Sequence, residues 1–287
     1  MKVTVAKTAG FCFGVKRSMD MVEEVLAAAK SPVYTYGPII HNEEVVRSLA
    51  ERGVTVVNNL EDLLACPAGT VLLRSHGIRK EEAEKLEDSE HTVVDCTCPF
   101  VKRIHKIVEQ YAGDGYDVII IGNREHPEVR GIKSYGKEGH VSVLETKEEA
   151  ESCVISAQTL IVAQTTQNVT KFKDLVEIIQ KKEYDGKGYG IVVINTICSA
   201  TEERQREAAQ IAENVDAMIV IGSRESSNTK KLYDICKEAC DSTIYIQTIR
   251  DFNALTLNSC EKVGITAGAS TPTNIIEEVQ KHVRNEF

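Results

Sequence analysis

Residues 10–26 read GFCFGVKRSMDMVEEVL, with a cysteine set between two phenylalanines and two glycines at the head of an amphipathic run. Val15, Met19, Val22 and Leu26 recur at helical spacing, which predicts a helix starting just after Cys12. A cysteine that merely packs as a small hydrophobe needs no glycines beside it. A cysteine that must meet something bulky, with backbone close against it, does.

Two further stretches share this form, CTCPFVKRIHKIVEQY from Cys96 and TICSATEERQREAAQIA from Thr196. Each of the three leads to a short apolar run closed by a glycine: VYTYG, DVIIIG and AMIVIG. Cys12 to Gly37 is 25 positions, and Cys98 to Gly122 and Cys198 to Gly222 are 24 each. Polar clusters follow the glycines, PIIHNEE, NREHPEV and SRESSNT; His41 lies 29 positions after Cys12, and His126 and Ser226 lie 28 after their cysteines. A second triplet of strands, VLLRSHGI, LIVAQTTQ and VGITAGAS, also ends in small polar residues.

The chain therefore reads as an α/β protein of three similar lobes, each of about 90 residues. Their expected bounds are 14–97, 98–196 and 197–287, with an N-terminal strand at 1–13 joining the third. Alternating strands and helices favour parallel sheets, whose ligands gather beyond the carboxyl ends of the strands. Three like units suit a pseudo-threefold cloverleaf with each cysteine turned to the centre.

Composition narrows the function. At 287 residues, 42% hydrophobic and 27% charged, the chain is an ordinary globular protein. A net charge of −9 opposes a nonspecific nucleic-acid binder. No apolar run approaches the ~18 residues of a membrane span, and MKVTVAKTAG lacks the apolar core of a signal peptide, so the expectation is cytoplasmic. Nine cysteines, an odd number without framework spacing, imply a reducing compartment where clustered thiols serve metal or redox chemistry.

Three thiolates from separate lobes suit an iron–sulfur cluster. With three cysteines on a cubane, one iron keeps an open position for a substrate oxygen. The phenylalanines beside Cys12 would exclude water, and helix N-termini would favour thiolate. In the CTC motif the repeat distance favours Cys98, with Cys96 displaced by two. Cys66, Cys153, Cys236, Cys240 and Cys260 fall outside the repeat and are assigned to packing. Structural zinc fits less well, because no CxxC pair is present.

Taken together, GFCFGV, IHNEEVV, RSHGI, CTCPFVKRIH, EHPEVRGI, AQTTQNV, TICSATEERQ, GSRESSNT and GITAGAST closely resemble the 4-hydroxy-3-methylbut-2-enyl diphosphate reductase (IspH/LytB) family, essentially end to end. The resemblance implies a [4Fe–4S] cluster with Cys12, Cys98 and Cys198 as its three cysteine ligands and one open iron. It implies an isoprenyl diphosphate bound by His41, His76, His126, Thr165, Ser226, Ser227, Asn228 and Ser270. It implies Glu128 as the proton relay, and reductive dehydroxylation to isopentenyl and dimethylallyl diphosphates in the non-mevalonate pathway.

The residues themselves support those roles. No P-loop or GxGxxG is present, so phosphate oxygens must be met by hydroxyl, amide and imidazole donors. His41, His76 and His126 each follow an expected strand, and Ser270 precedes an expected helix with Pro272 in its first turn. Glu128 reads as a loop carboxyl whose pKa would rise in an apolar cavity. Its competing reading is one more solvated carboxylate among 43 acidic residues. His91, His140 and His282 read as surface residues and His105 as structural. Electrons would come from a separate one-electron carrier such as ferredoxin or flavodoxin. Two rivals stand beside this reading: quinolinate synthase, whose site must grip carboxylates, and a cluster-binding sensor or metal carrier without turnover.

Overall fold

The computed structural model of the chain describes residues 1–182, 190–253, 257 and 260–286. Elements are numbered in chain order. They begin with β1 (Lys2–Val5), α1 (Phe13–Ala28), β2 (Val33–Tyr36), α2 (Glu43–Glu51), β3 (Val54–Val57) and α3 (Leu60–Leu64). Next come β4 (Thr70–Leu73), α4 (Lys80–Glu87), β5 (Thr92–Asp95), α5 (Pro99–Gly113), β6 (Asp117–Ile121) and α6 (Pro127–Ser134). Then follow β7 (Val141–Leu144), α7 (Lys147–Ser152), β8 (Gln158–Ala163), α8 (Val169–Lys181) and β9 (Gly190–Val193). The chain closes with α9 (Ser199–Ala212), β10 (Ala217–Ile221), α10 (Ser227–Ala239), β11 (Thr243–Ile246), β12 (Lys262–Ala267) and α11 (Thr273–Glu286).

These strands make three parallel four-stranded sheets, ordered β3-β2-β4-β5, β7-β6-β8-β9 and β11-β10-β12-β1. The α/β class and the three lobes expected from the repeat are both present. Read in that direction the three orders are one order. The outer place taken by β5 and β9 in two sheets is taken in the other by β1, from the opposite end of the chain. The strand-closing glycines make equivalent bonds: Gly37 N–H donates to Val57 O, Gly122 to Leu144 O and Gly222 to Ile246 O, at 2.8, 3.1 and 2.9 Å.

Two compact units divide the described chain. Met1–Arg17, Ile40–Arg52 and Ser199–Phe287 form one; Ser18–Ile39 and Gly53–Cys198 form the other. In the first unit, strand pleating sorts the side chains of β10 into two layers. Ala217, Ile219 and Ile221 pack with Val263, Ile265 and α11 residues Ile275, Val279 and Val283. Met218 and Val220 pack the other way, on Ala208, Ala212, Leu232 and Cys236 of α9 and α10.

The second unit does the same twice. Ile119 and Ile121 face Leu175 and Ile179 of α8, while Val118 and Ile120 face Ile104, Val108, Val129 and Ile132 of α5 and α6. Tyr34, Tyr36, Val71 and Leu73 anchor the core of the remaining sheet with Leu63 and Leu86. Helices cover both faces of such sheets, so the strands are near-continuous apolar runs and their free ends carry the polar loops. Among the described residues no helix is long and apolar enough to cross a membrane.

Candidate functional site

Each repeat cysteine sits where a sheet hands over to a helix. Cys12 precedes α1, Cys98 is the N-cap of α5, and Cys198 precedes α9. Their amides are latched alike: Cys12 N–H donates to Ala269 O at 3.3 Å, Cys98 to Ser75 O at 2.9 Å and Cys198 to Thr165 O at 3.0 Å. Each acceptor lies two residues beyond the end of β12, β4 or β8. All three cysteines are half-buried and free of disulfides, each at the start of a helix. Cysteine thiols are the donor type that iron–sulfur clusters take.

Cys96 is different. It is 0% exposed and its Sγ lies 3.8 Å from Val94 O, while its own carbonyl accepts from Ser18 Oγ at 2.8 Å. Cys236 and Cys240 are buried between helices and sheet, and Cys66, Cys153 and Cys260 pack at core margins. The expectation of a water-excluding phenylalanine pair is corrected for one member, since Phe13 is 66% exposed.

In the second unit, His76 follows β4 and His126 caps α6, their rings edge to face with centroids 5.4 Å apart. His126 Nδ1 accepts from Glu128 N–H at 3.1 Å, which leaves Nε2 as the proton-bearing nitrogen of the neutral ring. Arg74, not singled out from sequence, donates from Nε to Gly77 O at 3.0 Å and so braces the His76 turn. Burial lowers the pKa of its guanidinium, which nonetheless stays charged.

Glu128 lies in the first turn of α6 rather than in a loop, and at 1% exposure it is no solvated carboxylate. Thr165 donates to it twice, from N–H to Oε1 at 2.6 Å and from Oγ1 to Oε2 at 2.8 Å. Sequence placed these residues in separate roles. The structure makes them one unit.

In the first unit, Ser226 caps α10, and Ser227 and Asn228 form its first turn, with Ser226 and Asn228 buried. Ser270 Oγ donates to His41 O at 2.9 Å. The N-cap equivalent to His126 and Ser226 is Asn42, whose Oδ1 accepts from Val45 N–H; His41 stands one residue ahead of it. The caps lie 30, 28 and 28 positions after Cys12, Cys98 and Cys198, so the first loop is two residues longer and His41, one ahead of its cap, falls at 29. Helix α11 begins at Thr273, so Pro272 precedes the helix instead of opening its first turn.

Two other histidines are informative. His105 is buried and stacked on Tyr135 at 4.2 Å, as a structural residue should be, and burial pulls its pKa down to about 4. His91, expected at the surface, is 9% exposed: Nδ1 accepts from Gly69 N–H and Nε2 pairs with Leu63 O. Its charged sequence neighbours gave no hint of those two backbone partners.

Three parallel α/β lobes, each opening a helix at a cysteine, carry the donor type of the iron–sulfur class. The chain belongs to the LytB family, whose profile, described as LytB protein, matches residues 3–284. It is 44% identical over 284 residues to the 4-hydroxy-3-methylbut-2-enyl diphosphate reductase of Geobacter metallireducens, covering 99% of this chain and 97% of that one. It is 39% identical over 286 residues to the reductase of the same name from Caldanaerobacter subterraneus, covering 99% and 97%.

Solved structures agree. One of (E)-4-hydroxy-3-methyl-but-2-enyl diphosphate reductase, the terminal enzyme of the non-mevalonate pathway, is 40% identical with a TM-score of 0.71, covering 99% of this chain and all of that one. The Plasmodium falciparum reductase is 28% identical with a TM-score of 0.89, covering 99% of this chain and 87% of that one.

Proposed function

We propose that this chain reduces 4-hydroxy-3-methylbut-2-enyl diphosphate to isopentenyl and dimethylallyl diphosphates. The observation that carries the reading is the buried Glu128–Thr165 pair, set in the same loop system as two of the three equivalent cysteine stations. Cys12, Cys98 and Cys198 would hold a [4Fe–4S] cluster. When bound, the cluster supplies electrons singly and one iron position not taken by cysteine. The electrons come from an external carrier such as ferredoxin or flavodoxin, since the sequence has no flavin or nicotinamide fingerprint.

The reaction consumes two electrons and two protons per substrate, breaks one C–O bond and releases water. Both oxygens of Glu128 accept from Thr165, so the Thr165 hydroxyl hydrogen is turned toward the carboxylate and its lone pairs outward. Once Glu128 is protonated, the hydroxyl can pass a proton from it to the departing oxygen. The allyl species then takes its second proton at either end, which accounts for two products.

His41, His76, His126, Ser226, Ser227, Asn228 and Ser270 grip the diphosphate. The α10 N-terminus adds backbone N–H donors and the positive end of its dipole to this set. An anaerobic assay with this substrate, alongside iron and sulfide counts, tests the reading. Glu128→Gln is expected to keep the visible spectrum of the bound cluster and lose most turnover. Undiminished turnover would remove Glu128 from the mechanism.

A further inference from the structure

The three cysteine loops are tied down at the residue two positions ahead of each cysteine, and the ties differ. Ahead of Cys98, Cys96 O accepts from Ser18 Oγ on α1 at 2.8 Å. Ahead of Cys198, Thr196 ties itself to the end of β8: Oγ1 donates to Ala163 O at 2.5 Å and accepts from Ala163 N–H at 2.8 Å. Ahead of Cys12, Gly10 O accepts from Arg204 Nη2 at 2.9 Å, while Nη1 donates to Ala267 O, at the end of β12, at 2.6 Å.

Ser18 and Arg204 hold equivalent places, six residues past a repeat cysteine on the helix that cysteine starts. Ile104 has that place on α5 and carries no donor, and there the loop uses its own hydroxyl. The fold thus needs a hydrogen bond at this point, and a neutral one suffices in two lobes. The third spends an arginine that is 3% exposed.

One turn on, Glu207 accepts from Lys7 N–H and Thr8 N–H at 2.8 Å each, and from Thr8 Oγ1 at 2.6 Å. Helix α9 therefore grips residues 7–10 from one side, its cation on carbonyls and its anion on amides and a hydroxyl. The cation meets the residue nearer Cys12.

We propose that Arg204 is a positioning residue for Cys12 that also makes the cluster easier to reduce. The proposal rests on the reading of Cys12 as a cluster ligand. Adding an electron makes a thiolate-bound centre more negative, and a buried cation beside one ligand loop stabilises that state over the oxidised one. A guanidinium is suited to this because it does not titrate and its fork spans two carbonyls. Ser18 supplies the grip on the Cys98 loop without the charge.

The test compares Arg204→Met, Arg204→Lys and Ser18→Ala by two readouts. Hydrogen exchange is followed at the Cys12 and Cys98 amides in the metal-free protein, and the midpoint potential is taken from a paramagnetic-resonance redox titration after reconstitution. Arg204→Met is expected to speed Cys12 amide exchange by about tenfold and to shift the potential negative, since Glu207 remains. Arg204→Lys should recover most of the potential but not the protection, because one ammonium cannot span Gly10 O and Ala267 O. Ser18→Ala should speed exchange at Cys98 and leave the potential in place.

A wild-type potential in folded Arg204→Met overturns the proposal, even with faster exchange, because the role would then be structural alone. If Arg204→Met does not fold, Arg204→Lys decides, and wild-type exchange at Cys12 in that variant overturns it. Failure of the parent protein to take up iron and sulfide would sink the ligand reading instead. The metal-free exchange would still report on the grip.

Discussion

Thr165 is bonded to Glu128 at both carboxylate oxygens, by its amide at 2.6 Å and its hydroxyl at 2.8 Å, across 37 residues of chain. Hydrogen bonds to a charged group contribute about 1.5–3 kcal/mol each. Thr165→Val keeps the amide bond and removes the hydroxyl. The expected result is a loss of stability in that range, read by denaturant unfolding, together with a marked fall in turnover. A variant with wild-type stability and activity would show that the hydroxyl neither braces Glu128 nor carries its proton.

His105 makes the fold sensitive to acid. Desolvation holds its pKa down to about 4, below the 6.5 of an ordinary histidine, with Asp95 opposing the shift and Lys102 adding to it. Between those values the unfolded chain binds the proton and the folded chain does not, so stability falls as pH drops from 6.5 toward 4. The full loss is about 3 kcal/mol. Urea midpoints measured across this window should fall with pH in the parent protein and fall less in His105→Gln.

Cys96 and Cys98 are two residues apart and should behave oppositely. Cys98→Ala is expected to cut the iron bound per chain well below that of the parent. Cys96→Ala removes a buried thiol, costs about 1 kcal/mol of packing, and should leave iron content unchanged. Equal iron loss in both variants would undo the assignment of Cys98.

Gly122 closes β6, and a Cβ there would stand 2.9 Å from both Gln164 Cβ and Val129 Cγ2. Neither contact is the loose end of a long side chain. Gly122→Ala should destabilise by about 1–3 kcal/mol, read as a lower thermal midpoint. An unchanged midpoint would mean that β6 and β8 can part at their ends without cost.

What could be read from the chain alone was what is periodic. Apolar runs closed at Gly37, Gly122 and Gly222, and cysteines a near-constant distance ahead of them, mark three like units. Long-range pairing left no local signature. Nothing around Glu128 announces Thr165, and nothing around Gly10 announces Arg204. Side-chain exposure was hidden for the same reason: Phe13 looked like shielding and is exposed, while His91 looked exposed and is buried. The one-residue offset at His41 was visible as a number, but that the equivalent cap is Asn42, two positions further along than in the other lobes, required the helix itself.

The pairing of β1 with β12 has a consequence for how the protein is born. On the ribosome Lys2–Val5 leaves the tunnel long before its partner Lys262–Ala267 and the Ala269 carbonyl that latches Cys12. Two sheets can form as they are made, yet the third cannot close until β12 has emerged. Cys12 therefore waits without its fixed geometry while the two intervening sheets are made, and any inorganic cargo that needs that geometry must be loaded after β12 has joined β1.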